Sequence, residues 1–247
     1  MRLAFVAAVM WPGLAMAGPI LWIDDTSGNI GTVDVQSGAV TVVGPSGVSL
    51  TDIAFDPAGN LWGVSFTGLY RLNRDTGAAT LVGVTGIPDG NALVFGADGT
   101  LYAAGASTTA LFTINPATGA GTSIGDIGFR SAGDLAFAGG ELYLSSTTHR
   151  LIQIDLGPVS GTDVGPFGFN NVFGMATGDG VLYGVAGTRI FSVDTLTGAG
   201  TQIVGYAGHG LGGANGTAFT NEAVPEPGGT GLILVALTAL VRRRRRR

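Results

Sequence analysis

The sequence predicts an all-β fold, a five-bladed β-propeller with four strands per blade, its ring closed by the C-terminal strand. Three observations carry this prediction: a repeat of period near 40, period-two alternation of apolar and polar residues inside each repeat, and a leftover strand that matches a gap at the start. A chain of 247 residues with 45% apolar content can bury one such core. Its 44 glycines fall between the apolar segments without a three-residue period, so they read as turns rather than as collagen or disorder.

The marker of each repeat is a leucine followed by an aromatic: Leu21-Trp22, Leu61-Trp62, Leu101-Tyr102, Leu142-Tyr143 and Leu182-Tyr183, with starts spaced 40, 40, 41 and 40. An alternating segment ending in Asp or Asn follows each marker: Ile30 to Asp34, Leu69 to Asn73, Leu111 to Asn115, Leu151 to Asp155 and Ile190 to Asp194. Alternation marks a half-buried strand, and the closing Asp or Asn can begin a turn through its own side chain. Gly38, Gly77, Gly119, Gly161 and Gly198 then give the turns their backbone freedom, and the next strands run Thr41 to Val43, Thr80 to Val82, Thr122 to Ile124, Thr162 to Val164 and Thr201 to Val204.

A further strand precedes the marker in four units, at Asp52 to Phe55, Ala92 to Phe95, Asp134 to Phe137 and the weaker Gly174 to Thr177. The first unit lacks it, and Gly216 to Phe219 stands beyond the last unit instead. A ring explains both facts, because the C-terminal strand then completes the first blade and leaves no open inner edge. An open β-solenoid gives no reason for the match. Small residues such as Ala54, Ala136 and Ala176 suit a crowded axis, whereas Trp62, Tyr102 and Tyr143 recur at one position in every unit and so belong to packing between blades rather than to a sugar-binding surface.

Composition excludes several chemistries. All basic residues are arginine, which removes Schiff-base lysines and the Walker lysine, and the lack of cysteine removes thiol nucleophiles, thiolate zinc sites and disulfides. With Arg2 and Arg242 to Arg247 set aside, five arginines stand against 17 acidic residues, a balance of −12. Phosphate backbones repel such a surface, so nucleic acid is not a partner.

Both ends carry export signals. Arg2, the apolar run Leu3 to Met10 and the small residues of Ala15-Met16-Ala17 have the order of a signal peptide over residues 1–17, and Trp11-Pro12-Gly13 argues against a buried first strand. The propeller domain is expected over residues 18–223, and 224–247 form a tail. In that tail Val224, Pro225, Glu226 and Pro227 precede the uncharged stretch Gly228 to Val241 and the six arginines Arg242, Arg243, Arg244, Arg245, Arg246 and Arg247. As a helix that stretch spans about 21 Å, short of a hydrocarbon core of about 30 Å. The arginines act as a stop and hold the C-terminus in the cytoplasm, with everything before them outside.

Pro-Glu-Pro, a short apolar stretch and a terminal arginine cluster resemble the PEP-CTERM sorting signal of bacterial surface proteins. The resemblance covers Val224 to Arg247 and departs from the pattern only in Gly-Gly-Thr after the motif. It implies a tail that holds the exported chain in the membrane until an exosortase recognises Pro225, Glu226 and Pro227, cuts there and passes the protein to the surface, usually in bacteria that make exopolysaccharide.

Propellers bind at the axial mouth, where inner strands and loops converge. Asp52 and Asp134 begin inner strands in two non-adjacent units and can face each other there, as calcium ligands or as an acid and base for glycoside cleavage. The other three units carry Ala92, Gly174 and Gly216 at this position, which leaves no third ligand, and an Asp at a strand start also caps turns. His149 and His209 lie in loop contexts without paired spacing, Glu141 lacks an acid-base partner, and Asp98-Gly99 and Asp179-Gly180 are turn dipeptides. The expected function is an exported propeller that binds or scaffolds, with exopolysaccharide or other surface proteins as partners and no cofactor. The alternative is a hydrolase or lactonase with an acidic axial site, with calcium as its metal.

Overall fold

The computed structural model describes residues 18–222, and every regular element in them is a strand. No helix among the described residues is long and apolar enough to cross a membrane. The signal peptide, the sorting motif, the apolar stretch and the arginine block all lie outside the described residues.

Twenty strands form five antiparallel four-stranded sheets. Blade 2 is β4 (Asp52–Phe55), β5 (Leu61–Val64), β6 (Gly68–Leu72) and β7 (Ala79–Val84), innermost first. Blade 3 follows as β8 (Gly90–Phe95), β9 (Leu101–Gly105), β10 (Ala110–Ile114) and β11 (Gly121–Asp126). Blade 4 holds β12 (Ser131–Ala138), β13 (Glu141–Ser146), β14 (Arg150–Asp155) and β15 (Ser160–Pro166). Blade 5 holds β16 (Val172–Gly178), β17 (Val181–Ala186), β18 (Arg189–Val193) and β19 (Gly200–Gly205).

Blade 1 combines the two ends of the domain: β1 (Ile20–Asp25), β2 (Asn29–Asp34) and β3 (Val40–Pro45) take β20 (Ala214–Ala218) as their inner strand. The closing register is antiparallel, with Trp22 opposite Ala218, Ile23 opposite Thr217 and Asp24 opposite Gly216. The leftover strand therefore fills the gap that the repeat pattern exposed, and in a chain without disulfides this pairing fastens the circle.

Packing between blades follows the marker. Trp22 meets Phe55, Trp62 meets Phe95, Tyr102 meets Phe137 and Tyr183 meets Phe219, with ring centroids 5.6, 5.8, 5.8 and 5.4 Å apart. Each pair joins the second strand of one blade to the inner strand of the next, or in the case of Phe219 to the residue directly after it, in tilted or edge-on geometries that favour aromatic contact. The marker aromatics are thus interior packing residues. Thr177 takes the phenylalanine position at the remaining interface, and there Tyr143 is buried in a cluster with Phe167 and Phe191.

The turns after the third strands behave as the sequence indicates, with one exception. Asp34 Oδ1 accepts the N–H groups of Gln36 and Ser37 (both 2.9 Å), and Asn73, Asn115, Asp155 and Asp194 cap in the same way. Gly38, Gly77, Gly119 and Gly198 have φ of 73 to 80° and close these turns. Gly161, expected in that role, lies inside β15; Val159 occupies the left-handed position of that turn instead, at φ 46°. The inner strands of blades 3 to 5 also begin two or three residues earlier than the alternation suggests. Their first residues pair across a register shift, and such a bulge breaks the period-two signal.

Candidate functional site

The five inner strands converge on the axis in two layers. In the outer layer Thr51, Asn91, Gly133, Phe173 and Asn215 occupy equivalent positions and line an open cleft of about 300 Å³, joined by Ser49, Leu50, Phe66 and Ala132. Among the described residues, none that lines this cleft is charged. Three of its side chains tie neighbouring blades: the Thr51 hydroxyl donates to Gly90 O (2.9 Å), the Asn91 amide to Ser131 O (3.3 Å) and the Asn215 amide to Leu50 O (3.4 Å).

One residue further along each strand lie Asp52, Ala92, Asp134, Gly174 and Gly216. An inner strand has no neighbour on its axial edge, so its N–H groups there need another acceptor. The two aspartates supply it. Asp52 accepts from Ile53 N (2.7 Å) and Leu93 N (2.6 Å), and Asp134 Oδ2 accepts from Met175 N (2.6 Å), Thr217 N and Thr217 Oγ1 (both 3.2 Å). Asp52 and Asp134 also come within hydrogen-bonding reach of each other across the axis. Both are fully buried.

The expectation that these residues face one another holds, but they sit beneath the cleft floor and not in it. Burial pushes both carboxyls well above the usual carboxylate range; Asp134 and Asp24 raise Asp52 further, and Glu222 raises Asp134. A structural duty is visible for each, since together they satisfy N–H groups of four inner strands. Among the described residues, no group of three or more His, Cys, Asp or Glu side chains is arranged to hold a metal ion.

Two further acids of the axis escaped the sequence reading. Asp24, on β1, is 2% exposed, and neither of its oxygens has a well-formed hydrogen bond; Asn215 and the Gly216 N–H approach it more loosely. Burial pushes its carboxyl up to about 8, with the charge of Asp25 adding to the rise and Asn215 opposing it. Its signal was present: the equivalent residues in the other repeats are Val64, Ala104, Ser145 and Val185, so an acid breaks a position that is otherwise apolar or small. Gly216 makes room for it, because a Cβ there would overlap Asp52 and lie 2.9 Å from Asp24 Oδ1. Glu222, after β20, accepts Thr177 N (3.3 Å), and burial raises its carboxyl well above the ordinary range. It lies beyond the last repeat, where no periodic pattern could mark it.

The remaining candidates are peripheral. His149 Nδ1 accepts the Asn171 N–H (3.3 Å), His209 is exposed, and Glu141 accepts from Gln153 Nε2 (3.2 Å) on the outer surface of blade 4. Gly99 and Gly180 have φ of 85 and 74°, as their turns require.

No protein-family model and no curated protein matches the chain. Among solved structures it is similar to a chain of a nidogen/laminin complex, at 14% identity over 81% of this chain and 84% of that one, with a TM-score of 0.55. It is also similar to a gluconolactonase from Xanthomonas campestris, at 15% identity over 78% of each chain, with a TM-score of 0.53. At such identities the β-propeller fold is what this chain shares with them.

Proposed function

We propose that the chain is an exported surface protein, released through an exosortase-type sorting step, whose propeller binds a neutral saccharide in its axial cleft. The observation that carries the binding role is the separation of the two axial layers. The carboxyls suited to acid-base or metal chemistry are sealed below the floor and committed to backbone N–H groups, while the accessible layer is uncharged. Phe66, 53% exposed, and Phe173 offer apolar faces for sugar C–H groups, and Asn215 and Ser49 stand beside them as polar residues able to meet hydroxyls. Among the described residues no arginine lines the cleft to meet an acidic sugar, so neutral units fit best.

Delivery rests on the sequence of the two ends. The leader over residues 1–17 directs export, the tail holds the chain in the membrane with Arg242 to Arg247 inside, and cleavage at Pro225 to Pro227 frees it to the surface. Replacing Glu226 with Ala should leave the full-length precursor in the membrane; unchanged processing refutes the sorting step. For binding, titration with neutral and uronic oligosaccharides should give heat with the neutral set alone, and Phe173→Ala should weaken it at least tenfold. Steady hydrolysis of a lactone or glycoside, abolished by Asp52→Asn, would instead establish the hydrolase.

A further inference from the structure

The axial carboxyl pair touches every blade. Asp52 extends from β4 of blade 2 and binds β8 of blade 3; Asp134 extends from β12 of blade 4 and binds β16 of blade 5 and β20 of blade 1. The bonds have equivalent geometry in two blades, since Leu93 and Met175 each donate at 2.6 Å from the same position of the following inner strand. Asp134 Oδ2 collects three donors, as an ionised carboxylate does, whereas Asp134 Oδ1 has no backbone or hydroxyl partner. That free oxygen is the acceptor available to a proton on Asp52.

We infer that Asp52 and Asp134 form a proton-sharing clasp, a carboxylic acid bonded to a carboxylate, which locks the five inner strands together and holds the cleft residues above it in place. Thr51, Asn91, Gly133, Phe173 and Asn215 each directly precede the strand position of the clasp layer, so opening the clasp displaces the cleft floor. Two like charges at this separation and burial cannot both persist, so loss of the shared proton breaks the lock. Among the described residues, the charged groups that bear on the pair are acids: Asp24 with Asp25 behind it on β1, and Glu222 after β20. The strands β8, β16 and β20 contribute no titratable side chain. This device does not depend on what the cleft binds.

Hydrogen exchange and urea unfolding of the whole protein test the clasp. In Asp134→Ala, the amides of Met175 and Thr217 should lose protection, and so should Leu93 in blade 3, which Asp134 does not touch. Retained protection at Leu93 would show two independent local bonds and overturn the clasp. Asp52→Asn removes the titrating proton, and its amide nitrogen takes the place of one of the two oxygens that accept Ile53 N and Leu93 N. Above about pH 4, where the unfolded carboxyl has lost its proton, the variant's unfolding constant should rise with pH less steeply than that of the wild type, by up to tenfold per unit, the effect of one proton fewer. An unchanged slope would also overturn the inference.

Discussion

Gly216→Ala places a single methyl group at the most crowded point of the axis. Its Cβ would overlap Asp52 Oδ1 and Cα and stand 2.9 Å from Asp24 Oδ1. Asp52 cannot swing aside without releasing Leu93 N, and β20 cannot retreat without straining the register that closes the ring. Overpacking of this kind costs about 1–3 kcal/mol, and a buried N–H left unpaired adds about 1–3 kcal/mol. A loss of about 2–6 kcal/mol is therefore expected, a large share of the stability of a domain this size. Urea unfolding followed by the fluorescence of Trp22 and Trp62, which sit between blades, would measure it. Gly205→Ala serves as the control, because its nearest neighbour would be Thr188 O at 3.6 Å, and it should change stability by no more than about 0.5 kcal/mol. If Gly216→Ala behaved like this control, the crowding at Asp52 and Asp24 would not exist as described.

Three further predictions follow from the packing and the charges. Asp24 keeps its proton in the folded chain at pH values where the unfolded chain has lost it. Its contribution is full below about pH 4, falls by about 1.4 kcal/mol per pH unit and is gone above about pH 8; Asp24→Asn should remove that slope in urea midpoints taken across the range. Phe95→Ala deletes a buried ring that packs against Trp62 at 5.8 Å and should cost about 3–4 kcal/mol, with a shift of the tryptophan emission. Val159→Gly relieves a β-branched residue at φ 46° and should raise the unfolding midpoint by the equivalent of about 1 kcal/mol, whereas a lower midpoint would mean that its packing outweighs the strain.

The architecture was legible because a propeller repeats its physics. Leu-aromatic markers, closing Asp or Asn residues and turn glycines recur at one spacing, and the missing first strand told where the last one goes. The repeats misled where a local substitute did the same work, as Val159 does in place of a glycine and as the Phe167 cluster does where Thr177 replaces a phenylalanine. At the axis, Asp52 and Asp134 could be placed from their shared strand position, but whether they met solvent depended on the depth of the floor above them. Gly216 illustrates the gap best. In the sequence it counts as an absent ligand; in the fold its missing side chain is what admits Asp24 to the centre.

A crystal structure of the protein with a neutral oligosaccharide bound tests the central claim most directly. The account predicts sugar density against Phe66 and Phe173 at the axial mouth, with Asp52 and Asp134 still buried beneath it and bonded to Leu93 and Met175. A ligand that reaches those carboxyls, or one seated away from the axis, would contradict it.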